Sequence, residues 1–195
     1  MKLHSDHEDM QVTQKDNKYF EYFVNLSQNR IIFLSEEVTK SVAATLSALL
    51  LNYDNENHDD IIIYINSPGG DASALVNIVD VMSLIKSPIN TVVIGKAYSA
   101  GAYILCAGSK GKRFATKNSQ VMIHGLQCTF PMYPAADQKD SEIYYNFLTN
   151  YNDAILGILA KHTKKSTDRV KKDCSRDLYM NAKEALKYGI IDYII

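Results

Sequence analysis

The chain has 195 residues, 46% of them hydrophobic, a formal net charge of −1 and three cysteines. That is enough apolar material for one core, and the charge balance points neither to nucleic acid nor to a membrane surface. No apolar run approaches the roughly 20 residues that span a bilayer. Cys106, Cys128 and Cys174 form no CxxC or other metal pattern, which fits a reducing compartment.

Residues 1–18 are polar and read as a segment that is mobile or ordered only by a partner. Residues 19–195 read as one domain, with the aromatic residues Phe20, Tyr22 and Phe23 lying on its body. Arg30–Leu34 reads as a short apolar strand. Ser35 is the expected N-cap of a helix striped by Val38, Val42, Leu46 and Leu49–Leu51, and Asn52 to Asp60 reads as a charged loop. Ile61–Ile65 is a continuous β-branched run, the pattern of a strand covered on both faces. It ends in Asn66-Ser67-Pro68-Gly69-Gly70-Asp71, after which Ala74, Ile78, Val81 and Ile85 keep a helical period. Strand 91–94, helix 100–108 and strand 121–123 continue the alternation. The pattern argues for an α/β fold of right-handed crossovers around a mainly parallel sheet.

From Gly125 to Asp140 the pattern breaks into a loop containing Pro131 and Pro134. A long helix follows, with Ile143, Phe147, Tyr151, Ile155, Ile158 and Leu159 at helical spacing. This stripe is wider than one small domain needs, so the helix is either a protruding oligomer contact or simply packed on its own core. Asn181-Ala182-Lys183-Glu184 is a capping box opening a short helix that Gly189 closes, and 190–194 reads as a last strand.

Ser99 stands at the corner between strand 91–94 and a run of small residues, Ala100-Gly101-Ala102. There it is either a plain N-cap or a nucleophile whose oxyanion the free helix N–H groups could hold. His124 ends strand 121–123. Carboxyl ends of parallel strands line the ligand crevice of an α/β sheet, so Ser99 and His124 can meet there. A nucleophilic serine needs a base and an acid to orient that base, and Asp173 and Asp177 both qualify by position. The N–H groups of Gly70 and Ala100 are the candidate oxyanion hole. His4, His7, His58 and His162 lie in polar or loop contexts and are poorer bases.

Taken together, these segments resemble the Clp protease proteolytic subunits, the ClpP-like serine peptidases. The resemblance covers about Asn29 to Ile194. It rests on Arg30–Leu34, Tyr64-Ile65-Asn66-Ser67-Pro68-Gly69-Gly70, Ser99-Ala100-Gly101-Ala102, Gly111–Ala115, Met122-Ile123-His124, Arg176-Asp177 and Tyr188–Asp192. It implies a crotonase-like fold with a handle at about 125–162. Ser99 would be the nucleophile and His124 the base; Asp177 would be the acid, because the family's aspartate follows an arginine. It also implies two stacked heptameric rings, an ATP-driven AAA+ unfoldase, polypeptide substrates, and no metal or cofactor in this chain; Tyr64 and Phe114 are either part of the apolar clefts that dock the unfoldase or simply core aromatics. Localisation would be cytoplasmic, or the matrix or stroma of an organelle. In the family, alignment of the triad depends on assembly, to which Arg176 is linked.

The chain also departs from the pattern. His124 is followed by Gly125-Leu126-Gln127-Cys128 in place of Gln-Pro and a glycine-rich stretch, and Ser175 precedes Arg176 where the family carries an acidic residue. Those departures motivate an alternative, a weakly active or inactive structural ring subunit that works beside a catalytic paralogue. An acyl-CoA enzyme of the same fold and a phage capsid-maturation peptidase are the remaining alternatives.

Overall fold

Three apolar strands lie parallel at one side of a seven-stranded sheet. Strand β2 (Ile61–Ser67) sits between β1 (Ile31–Leu34), at the edge of the sheet, and β3 (Ile89–Tyr98). Ile61, Ile63 and Ile65 share one face and are fully buried, whereas Ile62 and Tyr64 on the opposite face are only half-buried and Asn66 is exposed. The strand is therefore covered on one face and not on both as expected, because among the described residues no helix packs closely over that second face. The sheet continues through β4 (Arg113–Ala115) to β7 (Tyr193–Ile194), while β5 (Gln120–Ile123) branches from β3 and pairs antiparallel with β6 (Leu178–Asn181). This architecture comes from a computed structural model, which describes residues 21–127 and 137–195. The expectations for 1–18, Phe20, Cys128, Pro131 and Pro134 lie outside those residues.

Strand β3 pairs with two partners along one edge. Thr91–Val93 pair with β4, and Lys96–Tyr98 pair with β5. Between them the register against β2 jumps from Ile65↔Val93 to Ser67↔Ala97, and Gly95 takes φ +82°. This bulge turns the strand. A side chain at Gly95 would be strained by that φ and would meet Asn66 Oδ1 at 2.9 Å. Beyond the bulge, the Ser99 N–H donates to Met122 O at 2.8 Å. The carboxyl ends of β3 and β5 therefore emerge side by side.

Helical residues 21–28 (α1) precede β1 in place of the expected aromatic segment lying on the body, though Phe23 does pack edge-on against Phe33. Helices α2 (Lys40–Glu56) and α3 (Ala72–Leu84) follow β1 and β2. The expected start of α2 is wrong: its N-cap is Thr39, whose side chain accepts from Val42 N–H, not Ser35. The reason lies in Val38, which stays extended to bridge Gly70; Val38 N–H donates to Gly69 O and Asp71 N–H to Val38 O, both at 2.8 Å. The end of α2 is also later than expected, since Asn52–Glu56 are helical. Tyr53, buried in the core, holds that turn; its carbonyl accepts from Asn57 N–H and also from the Arg30 guanidinium (2.8 Å), which bonds the Asp59 carbonyl as well (2.9 Å).

Helix α4 (Ala100–Cys106) is buried along its whole length, behind the corner at Ser99. The long α5 (Gln138–Thr163) packs on the core only through its second half, where Ile155, Leu156 and Leu159 are buried. Its first half leaves Ile143, Tyr144, Tyr145 and Phe147 exposed. Helix α6 (Thr167–Asp173) leads to β6, and α7 (Ala182–Tyr188) carries the expected capping box and ends at Gly189 with φ +97°. The last strand is shorter than expected: only Tyr193 and Ile194 pair, while Ile190 and Ile191 are buried in the core.

Candidate active site

The corner at Ser99 is strained. Its φ of +50° and ψ of −124° are rare for a residue with a side chain, and its hydroxyl makes no capping bond to α4. A plain N-cap would have an extended backbone and would bond the helix. Glycine 69 makes the close approach possible: a Cβ there would lie 2.6 Å from Ser99 Cβ and 3.1 Å from Ala100 N. The first N–H groups of α4 have no partner within the helix, and Ala100 N–H lies at its start. The parallel bridge to Val38 uses the flanking groups of Gly69 and Asp71, which directs the Gly70 N–H away from Val38.

Ser99, His124, Asp177, Gly70 and Ala100 all line one cleft of about 690 Å³. Among the described residues no hydrogen bond or ion pair joins Ser99, His124 and Asp177 to one another. His124 Nδ1 instead meets its neighbour's carbonyl, Gly125 O. Arg176 lines an adjoining cavity of about 580 Å³ with His124 and Asp177, and donates to Ser175 O at 2.9 Å.

Three bonds that the sequence did not reveal fix the backbone around His124. The Tyr103 hydroxyl donates to His124 O at 2.7 Å, Gly125 N–H donates to Cys174 O at 2.9 Å, and Leu126 N–H donates to Asn152 Oδ1 at 2.7 Å. They reach His124 from α4, from the segment leading to Asp177, and from α5. Burial pushes the Tyr103 hydroxyl pKa up, so it stays a donor. The only hint of Tyr103 in the sequence is a phenol inside an otherwise apolar helix. The thiols nearby are not nucleophiles: burial pushes Cys106 up to about 12 and Cys174 up to about 11, and both stay protonated at neutral pH. Among the described residues no group of three His, Cys, Asp or Glu could hold a metal ion.

A family model described as Clp protease matches residues 14–195. The chain belongs to the Clp protease family. Among curated relatives of this family it is similar to a protein of Carsonella ruddii (strain PV), named "ATP-dependent Clp protease proteolytic subunit". The two are 37% identical over 182 residues, which is 93% of this chain and 91% of the relative. As a Clp protease family member the chain is a serine-type peptidase, and the mixed sheet with its helices agrees with the crotonase-like expectation.

Tyr64 and Phe114 are remote from this cleft. They lie in one cross-strand row, Phe33↔Tyr64↔Val92↔Phe114↔Tyr193, spanning five strands. Phe33 stacks on Tyr64 at 5.1 Å between ring centroids and Phe114 on Tyr193 at 5.7 Å. Both residues are half-buried. The row is an apolar stripe on the sheet face, half-buried at Tyr64 and Phe114 and buried only at its middle residue, Val92.

Proposed function

We propose that the chain is the proteolytic subunit of an ATP-dependent Clp protease, with Ser99 as nucleophile, His124 as general base and Asp177 as the acid that orients it. The observation that carries this reading is the strained corner at Ser99, beside the N–H groups of Gly70 and Ala100 and in one cleft with His124 and Asp177. Ser99 Oγ attacks the scissile carbonyl carbon as its proton passes to His124, and the developing oxyanion accepts the two N–H groups. The C–N bond breaks, the leaving amine takes the proton from His124, and an acyl-enzyme ester remains. Water then attacks the ester, passing its proton through His124 back to Ser99. For this the imidazole leaves Gly125 O and turns its Nδ1 toward Asp177.

Ring assembly supplies that turn. The exposed stripe of α5 is the contact between rings, and Asn152 on the same helix holds the backbone beside His124. Two stacked heptameric rings enclose the active sites, and Arg176 links their assembly to the triad. The aromatic row through Tyr64 and Phe114 docks an AAA+ unfoldase, which uses the ATP; this chain needs no cofactor. Among the described residues no helix is long and apolar enough to cross a membrane, and the working place of the assembly is the cytoplasm or an organelle matrix or stroma. The inactive-subunit alternative is not favoured, since the family relative is named as the proteolytic subunit.

The test is fluorophosphonate labelling of the purified, assembled chain, with Ser99→Ala as control and peptide cleavage as the second readout. Labelling at Ser99, with cleavage lost in the variant, is the expected result. Cleavage that persists in Ser99→Ala would sink the assignment.

A further inference from the structure

The two peptide units that follow His124 are held by different parts of the molecule. The first joins His124 to Gly125. Its carbonyl accepts from the Tyr103 hydroxyl at 2.7 Å, and its N–H donates to Cys174 O at 2.9 Å. Tyr103 and Cys174 are both buried, so the core fixes this plane. The second unit joins Gly125 to Leu126. Its carbonyl accepts from His124 Nδ1, and its N–H donates to Asn152 Oδ1 at 2.7 Å, on α5. Among the described residues this second unit has no other partner.

A carbonyl oxygen can only accept, so Nδ1 carries the proton and Nε2 the lone pair. That is the tautomer a general base needs, but its N–H is spent on Gly125 O and not on Asp177. A trans peptide is planar, so its C=O and N–H point in opposite directions and turn together. The bond from Leu126 N–H to Asn152 thereby aims Gly125 O at the imidazole. Position 125 fits this arrangement tightly: a Cβ there would lie 3.0 Å from Asn152 Oδ1.

We infer that Asn152 is a positioning residue for His124 that acts as a latch, holding the Gly125–Leu126 peptide in the orientation that keeps the imidazole off Asp177. When Asn152 Oδ1 withdraws, the plane is free to rotate, Gly125 O leaves Nδ1 and the ring turns to Asp177. No proton changes hands in this turn. The inference rests on the reading of Ser99, His124 and Asp177 as a peptidase triad. Loss of one neutral hydrogen bond shifts such an equilibrium by about fivefold.

The test is the rate of fluorophosphonate labelling at Ser99 in the full chain, compared between species of the same size. Asn152→Leu keeps the bulk of the side chain without an acceptor, and Leu126→Pro removes the donor. Each should label about fivefold faster than the unaltered chain. Asn152→Asp keeps an acceptor and should restore the slower rate. If Asn152 only supported the fold, both of the first two variants would label more slowly. Equal or slower labelling in either of them, whichever folds, or fast labelling in Asn152→Asp, overturns the latch alone. Absence of labelling and of peptide cleavage in the unaltered chain overturns the peptidase reading with it.

Discussion

The two ends of strand β3 treat polar groups in opposite ways. At its amino end, Thr91 pairs with Arg113, whose guanidinium is 1% exposed and binds Asp192 through two bonds, Nε to Oδ2 at 2.8 Å and an Nη to Oδ1 at 2.7 Å. Lys110 and Gly111 N–H add bonds to the same carboxylate, and Arg113 also reaches the carbonyls of Cys106 and His162. At its carboxyl end, Ser99 is strained, and among the described residues the N–H groups of Gly70 and Ala100 donate to no partner. Satisfied polar groups at one end hold β4, β7, α4 and α5 together, so the other end tolerates unsatisfied ones. Stability and chemistry are separated along one strand.

Ser99→Ala is the sharpest probe of that separation. Peptide hydrolysis should fall by about 10⁴-fold or more, with the thermal midpoint hardly changed. A large drop in melting temperature would show that the corner also carries stability. The opposite variant, Asp192→Asn, leaves Arg113 buried without its full charge partner and should cost about 3–5 kcal/mol, on the order of 10 °C in Tm. The variant that remains folded should still label at Ser99. Loss of labelling in the folded variant would mean the two ends are coupled.

Acid titration asks the same question without mutation. Burial alone would raise the Asp192 carboxyl, but hydrogen bonds from Arg113 and Lys110 and the Arg113 charge outweigh it and hold the group well below its ordinary 3.8. A carboxylate depressed in the folded state contributes stability above its unfolded pKa and loses it as pH falls toward the folded value. Denaturation should steepen below about pH 4, and Asp192→Asn should flatten that limb. An unchanged limb would remove Asp192 from the acid response.

Tyr103→Phe removes the hydroxyl that donates to His124 O. It should cost about 1 kcal/mol in stability and lower kcat more than it raises KM. A change in KM alone would make Tyr103 a packing residue only. The smallest expected difference is at the start of α2: Thr39→Ala should cost about 1 kcal/mol, while Ser35→Ala stays within about 0.5 kcal/mol. Equal effects would contradict the cap at Thr39.

What the sequence revealed depended on whether a pattern was local. The runs 61–65 and 91–94, the period of α3 and the capping box at Asn181 report burial and capping by their immediate neighbours, and all became elements. The start of α2 was misread because the decisive partner of Val38 is Gly70, on another element. Its end was misread because Arg30, remote in sequence, stabilises a polar last turn. Strand β4 is three residues long and begins with a buried arginine, so no apolar pattern announces it. At the site, Ser99, His124, Gly70 and Ala100 were legible as strand ends and turns. Spacing alone did not separate Asp173 from Asp177; in the structure Asp173 instead accepts from Arg169 and the Tyr188 hydroxyl, and only Asp177 lines the cleft.

The Arg113–Asp192 pair also bears on biosynthesis. The two residues are 79 positions apart, so a ribosome translating at roughly 5–20 residues per second makes the cation several seconds before its partner. During that interval the central strands can collapse, while the outer edge of β4 has neither β7 beside it nor a counter-charge beneath it. Open strand edges invite pairing with other chains. The nascent protein is thus most vulnerable to misassembly late in synthesis, at the end of the sheet that later becomes its firmest.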